Sequence, residues 1–187
     1  KAALQARSLT KQLITFVKGG MPNLEATTLR SLVEDCSQFI LRGSNVRCDL
    51  QIPEDLWPVE VDVGQISQVI NNLIINADQA MPNGGVLHIS LQNETITVPN
   101  TASLSEGKYV SLNFRDEGVG ISAENQVRIF DPYFTTKENG NGLGLASCAS
   151  ILKSHRGAIC VDSELGEGST FRVYIPRAVG EVEIEAK

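Results

Sequence analysis

No run of lysine and arginine offsets the acidic balance of this chain, in which 16 basic residues face 22 acidic ones for a net charge of −6. A protein that tracks a phosphate backbone needs a basic stripe, so nucleic acid is excluded as a partner. Any nucleotide chemistry must rest on local geometry instead of bulk charge. No apolar run approaches the ~20 residues of a membrane span, and no signal peptide is visible. The expectation is a soluble, cytoplasmic piece with no membrane contact of its own, although a longer parent protein could be membrane-anchored. The four cysteines, Cys36, Cys48, Cys148 and Cys160, form no CxxC pair, and neither of the two histidines completes a zinc spacing with them. Buried free thiols in a reducing compartment are the expected reading.

What is present suits one packed core: 187 residues, 42% of them hydrophobic. Ala2, Ala6, Leu9, Leu13 and Phe16 form a two-heptad apolar seam that ends at Gly19-Gly20 and Pro22. A helix that short needs a partner. Residues 1–20 therefore read as the end of a helical bundle that continues upstream, with packing on the chain's own domain as the other reading. Residues 21–178 form the main domain, and the acidic 179–187 a C-terminal linker. Within the domain, patterning predicts helices over 27–42, 63–81 and about 142–155. Strands are expected over 46–52, 59–61, 86–96, 109–115, 159–162 and 170–175. Asp62 followed by Gln65 gives the central helix a capping-box start. Strands separated by helices, then a late hairpin, imply a two-layer α/β sandwich.

Three local patterns carry chemistry. Asn72 and Asn76 are four apart and project from one face of the central helix, where asparagine is otherwise a modest helix former. Taken alone, they read first as two satisfied polar side chains. Asp116-x-Gly118-x-Gly120 follows a strand directly, offering a carboxylate to a ligand amine with close-approaching backbone behind it. Gly140-x-Gly142-Leu143-Gly144-Leu145 opens a helix, where exposed N–H groups at the positive dipole end suit an anion. It lacks the GK[ST] of a Walker loop and the preceding strand of a Rossmann turn.

In this order and spacing, together with Phe130-Asp131-Pro132-Tyr133-Phe134-Thr135-Thr136-Lys137, these patterns resemble the N, first glycine, F and second glycine boxes of sensor histidine kinases, and the closing Gly166-Glu167-Gly168-Ser169-Thr170-Phe171 resembles that family's last glycine motif. The resemblance covers residues 23–176. It implies the Bergerat, or GHKL-type, fold, a mixed sheet with helices on one face, and an ATP-binding catalytic domain that uses Mg²⁺. By the same resemblance Asn76 would hold the metal and Asn72 would contact the phosphates. Asp116 would accept from the adenine amine, with Gly118 and Gly120 admitting the ring, Ile121 beside it and Thr170 in support. Thr136, Lys137, Gly142, Leu143, Gly144 and Leu145 would hold the triphosphate. Asn72 and Lys137 are the expected catalytic pair, and Phe130 and Phe134 are expected to pack the lid. That lid is short, with only Glu138-Asn139 between Lys137 and Gly140, and is similar to those of nitrogen-regulator and hybrid kinases.

Gyrase-, MutL- and chaperone-type relatives carry a glutamate where Asn72 stands, and asparagine is no general base at neutral pH. A kinase gains from that absence. The resemblance further implies a phosphoacceptor histidine on a dimerisation domain of the same protein, a homodimer, and a downstream response-regulator receiver. No acceptor motif occurs here: His88 falls in a strand, and His155 ends a helix as a cationic cap for its dipole. The expectation is that the acceptor lies outside the chain. A non-catalytic nucleotide-binding module and a GHKL-type hydrolase are the alternatives, with a serine-directed anti-sigma kinase disfavoured by the bundle-like seam.

Overall fold

The computed structural model describes residues 22–97, 102, 104–137 and 140–179. The apolar seam of 2–16, the lid residues 138 and 139, and nearly all of the acidic tail lie outside the described residues. In chain order the elements are β1 (Glu25–Thr27), α1 (Leu29–Ile40), β2 (Val46–Gln51), β3 (Val59–Val61), α2 (Val63–Ala80), β4 (Gly85–Ile96), β5 (Gly107–Asp116), α3 (Ala123–Gln126), α4 (Gly144–Ser154), β6 (Ala158–Glu164) and β7 (Gly168–Pro176).

Five strands form a mixed sheet in the order β2-β4-β5-β7-β6, with β2–β4 parallel and the other three pairings antiparallel. Alternation along each strand sends one set of side chains toward the helices. Leu87, Ile89 and Leu91 of β4, Val110, Leu112 and Phe114 of β5, and Phe171, Val173 and Ile175 of β7 are all buried. Against them α2 buries Ile66, Val69, Ile70, Leu73, Ile74 and Ala77, spacings of three and four that make one continuous stripe. Helices α1 and α4 flank α2 on the same side. The expected two-layer sandwich with helices on one face is therefore observed. On the far face a smaller cluster of Ile96, Leu104 and Tyr109 packs with Ala102, Ala158 and Tyr174. Among the described residues no helix is long and apolar enough to cross a membrane.

The central helix starts as its sequence indicates, with Asp62 Oδ1 accepting from the Gln65 N–H at 3.0 Å. Two local readings change. The helix expected over 27–42 begins only at Leu29, because Glu25–Thr27 is drawn into an antiparallel pair with β3. His155 is no exposed cation at a helix end. It is buried, its Nε2 accepts the Asp62 N–H at 3.0 Å, and its Nδ1 lies 2.8 Å from the Ile151 carbonyl. With one ring nitrogen on the Asp62 N–H and the other beside the Ile151 carbonyl, the imidazole is a strut between the end of α4 and the start of α2. All four cysteines are free; Cys36 and Cys148 are buried and Cys48 and Cys160 half-buried, so the expected burial holds fully for two of them.

Candidate nucleotide-binding site

A cavity of about 660 Å³ runs beside α2 and is walled by the loops after β5 and before α4. That volume falls in the range of small-molecule sites, about 300–1,000 Å³. Its two ends are fixed by hydrogen bonds to α2. At one end the Val119 N–H donates to the Ala80 carbonyl at 3.2 Å, which docks the loop carrying Asp116. At the other, the Asn72 side chain reaches Gly144 at the start of α4. Eight residues of helix, about 12 Å at 1.5 Å per residue, separate these anchors.

Asp116 closes β5 with 4% of its surface exposed. The Gly118 N–H donates to its Oδ1 at 2.9 Å, and Ser169 stands opposite it in the β5–β7 register. Burial raises its pKa above the ordinary aspartate value. The N–H groups of Gly118 and Ser169 and the charge of Lys137 pull in the opposite direction without prevailing. Among the described residues lining the cavity it is the one carboxylate.

Gly120 adopts φ +69°, and a Cβ there would overlap the Glu164 carbonyl. The glycine thus lets the loop after β5 close on the β6–β7 turn, a contact completed by Gly166 N–H donating to the Val119 carbonyl at 2.8 Å. Gly118 has a different task from the one expected. It is not in the cavity wall, and a Cβ on it would stand 2.6 Å from the Ala80 carbonyl. Its bareness admits α2, while its N–H serves Asp116.

Three carboxamides of α2 face the cavity: Asn72, Asn76 and Gln79. The Lys137 ammonium, at the base of the lid, folds inward between the latter two, 3.0 Å from Asn76 Oδ1 and 2.6 Å from Gln79 Oε1. Desolvation there lowers the lysine pKa, and the charge of Asp116 partly restores it. The Asn72 NH₂ group donates to the Gly144 carbonyl at 3.2 Å. Thr136, Gly142, Gly144 and Leu145 complete this end, where the first turn of α4 leaves backbone N–H groups without helical partners. Gly142 (φ +66°) has no space for a Cβ, because the Tyr133 backbone lies against it and donates its N–H to the Gly142 carbonyl at 2.9 Å.

The structure thus gathers Asn72, Asn76, Asp116, Gly120, Ile121, Thr136, Lys137, Gly142, Gly144 and Leu145 around one cavity. Leu143 and Thr170 stand apart from it. Leu143 is 2% exposed, with its side chain in the interior and its N–H donating to Asn141 Oδ1 at 3.0 Å. Thr170 sits in register with Arg115 and Asp162 on the opposite sheet face, and Ser169, one residue earlier, lines the cavity instead. Strand alternation from buried Phe171 carried the signal for Ser169. Gln79 was also missed, although its spacing of three from Asn76 places both on one helix face. Phe134 both lines the cavity and receives the Arg128 guanidinium 4.5 Å from its ring centroid, whereas Phe130 packs on the core. Neither histidine belongs to the cavity. His88 is on the far sheet face, its Nδ1 3.1 Å from Asp49 Oδ2.

The family model described as histidine kinase-, DNA gyrase B- and HSP90-like ATPase matches residues 61–179. The chain belongs to that family. Within it the chain is an ATP-binding catalytic domain of the sensor histidine kinase kind. It is 38% identical over 188 residues to sensor kinase CckA of Brucella abortus (strain 2308), covering 96% of this chain and 20% of that protein. It is 35% identical over 180 residues to the sensor histidine kinase ZraS of Escherichia coli (strain K12), covering 94% of this chain and 36% of that one. The chain thus spans well under half the length of these relatives. Among solved structures, the catalytic domain of histidine kinase ThkA superposes with a TM-score of 0.68 at 27% identity, covering 83% of this chain and 96% of that domain. Full-length ShkA in complex with AMPPNP shares the fold, with a TM-score of 0.69 at 21% identity over 86% of this chain and 32% of that one.

Proposed function

We propose that this domain binds ATP with Mg²⁺ and delivers the γ-phosphoryl group to a histidine on a dimerisation domain of the same protein, outside this chain. A response-regulator receiver would then take the phosphoryl group from that histidine in the homodimeric whole. One observation carries the reading. The face of α2 along the cavity offers Asn72, Asn76 and Gln79, three carboxamides, and among the described residues the single carboxylate of the wall is Asp116 at the other end. A carboxamide accepts and donates hydrogen bonds without taking a proton from water. The site therefore holds a triphosphate without hydrolysing it, which a hydrolase in the same cavity could not do usefully.

The chain's own residues bind and orient. Asp116 accepts the exocyclic amine of adenine, with the Ser169 hydroxyl beside it. The first-turn amides of α4 and the Lys137 ammonium meet the phosphates. Asn76 fits a metal, since its Oδ1 and Gln79 Oε1 already converge on one cationic group, and neutral oxygens suit a hard cation with few protein ligands. Bound Mg²⁺ supplies charge neutralisation on the phosphate oxygens. Phosphoryl transfer relies on such positioning more than on covalent protein chemistry. In the transfer the bond from the γ-phosphorus to the bridging oxygen breaks, a phosphorus–nitrogen bond forms on the incoming imidazole, and ADP leaves. The base that takes the imidazole proton lies with the acceptor.

The test is incubation with γ-labelled ATP, alone and with a matched acceptor domain. Acid-labile, base-stable label on the acceptor domain and none on this chain is the expected result. Label on His88 or His155 would overturn it, as would steady phosphate release without transfer.

A further inference from the structure

Asn72 is held from behind. Its NH₂ group has two hydrogens, and they go to two acceptors on α4: the Gly144 carbonyl at 3.2 Å and the Cys148 sulfur at 3.6 Å. The Cys148 S–H in turn lies 3.9 Å from the Val69 carbonyl, three residues before Asn72 on α2. Cys148 is 0% exposed and is not part of the cavity wall.

Building on the role given to Asn72 above, we infer that Cys148 is a positioning residue for phosphoryl transfer: its thiol, with the Gly144 carbonyl, fixes the Asn72 carboxamide NH₂-inward, so that Oδ1 is the atom presented to the triphosphate. The two ends of a carboxamide have nearly the same shape, so only their partners decide which way it points. Turning Asn72 over would set its oxygen against the Gly144 carbonyl oxygen, two acceptors facing each other. The carbonyl by itself satisfies one N–H, and the sulfur takes the second. A thiol suits the place because it donates and accepts weakly at once, and its longer contacts span both helices from one atom. Committing its hydrogen to Val69 leaves sulfur lone pairs for Asn72. Burial pushes the Cys148 pKa up to about 12, so the group stays neutral and inert throughout the working range. An aliphatic side chain would fill the same space and leave one Asn72 N–H unpaired.

The test compares Cys148→Ala and Cys148→Val with the parent chain, two variants that lack the acceptor but differ in how they fill the space. Affinity is measured for Mg²⁺·ATP, which engages both ends of the cavity, and for adenosine, which engages only the Asp116 end. The Asn72 side-chain amide resonances are followed in parallel. Both variants are expected to bind Mg²⁺·ATP about three- to tenfold more weakly, the worth of one modest hydrogen bond, with adenosine affinity unchanged and the Asn72 resonances shifted. A merely structural role would weaken both ligands alike or only lower the melting temperature, and that result overturns the inference. So do unmoved Asn72 resonances. If Asn72→Ala itself spares the ratio of ATP to adenosine affinity, the placement of Asn72 at the triphosphate fails. The resonances then still decide whether Cys148 holds the amide.

Discussion

Replacing Asp116 by asparagine is expected to weaken ATP binding and to strengthen the fold, two opposite effects from one atom. The carboxylate accepts N–H bonds from Gly118 and its neighbourhood and is left with acceptor capacity toward the cavity. Asparagine keeps one acceptor and gains a donor, so its NH₂ must face either a backbone N–H or the adenine amine. An unpaired polar group of that kind costs about 1–3 kcal/mol, which corresponds to a loss of roughly five- to 150-fold in affinity. Stability runs the other way. Burial raises the Asp116 pKa above 3.8 in the folded chain. The folded state therefore binds the proton more tightly than the unfolded state, and stability falls as pH climbs from 3.8 through the raised folded value. Above that window the penalty is fully present. Asparagine, a neutral mimic of the protonated acid, escapes it. The variant should thus melt higher than the parent at pH 7, and the difference should vanish as pH falls toward 3.8. Calorimetric titration with ATP and melting curves across that range check both halves. Unchanged affinity would refute the placement of adenine at Asp116. A lower melting temperature at pH 7 would refute the argument from burial.

Asn76→Ala should remove the gain in ATP affinity that Mg²⁺ confers while leaving adenosine binding and the circular dichroism spectrum intact, as titrations with and without the metal will show. Gly120→Ala combines a left-handed φ of +69° with a Cβ driven into the Glu164 carbonyl. It should lower the melting temperature and ATP affinity together, because the β6–β7 turn that leads into Ser169 has to move. His155→Ala should destabilise by about 1–3 kcal/mol in urea unfolding, since the half-buried Asp62 N–H loses its acceptor.

Central helix α2 was legible because its evidence is local: the Asp62 cap, an apolar stripe, and two asparagines on one face. The same holds for the glycine-loop start of α4. What escaped depends on distant partners. The three residues of β1 have no strand signature of their own and exist by pairing with β3, whose Val61 lies opposite Glu25. The strand ends grew by one or two residues wherever a neighbour continued the ladder, as β5 did at Gly107 and Asp116. Thr170 was expected at the cavity, and Ser169 lines it instead; a step of one residue in a strand reverses the face. Gly118 was read as making way for a ligand when it makes way for Ala80, since a sequence shows that backbone must approach something but not what. Cys148 looked inert in isolation. Its partner is 76 positions away.

The parallel pairing of β2 with β4 has a bearing on how the domain assembles. Two parallel neighbours must be joined by a crossover, and here that crossover contains β3 and α2. The helix that presents Asn72 and Asn76 is therefore an obligatory part of closing the sheet, while Asp116 ends its middle strand and Ser169 comes with β7. Non-local ladders of this kind form slowly, and Ser169 joins the carboxylate and the carboxamides only once β7 has paired with β5. ATP then finds the complete wall, Ser169 included, only in the finished molecule. By mass action ATP should draw the folding equilibrium toward completion, so that a bound nucleotide acts on this domain as a folding ligand.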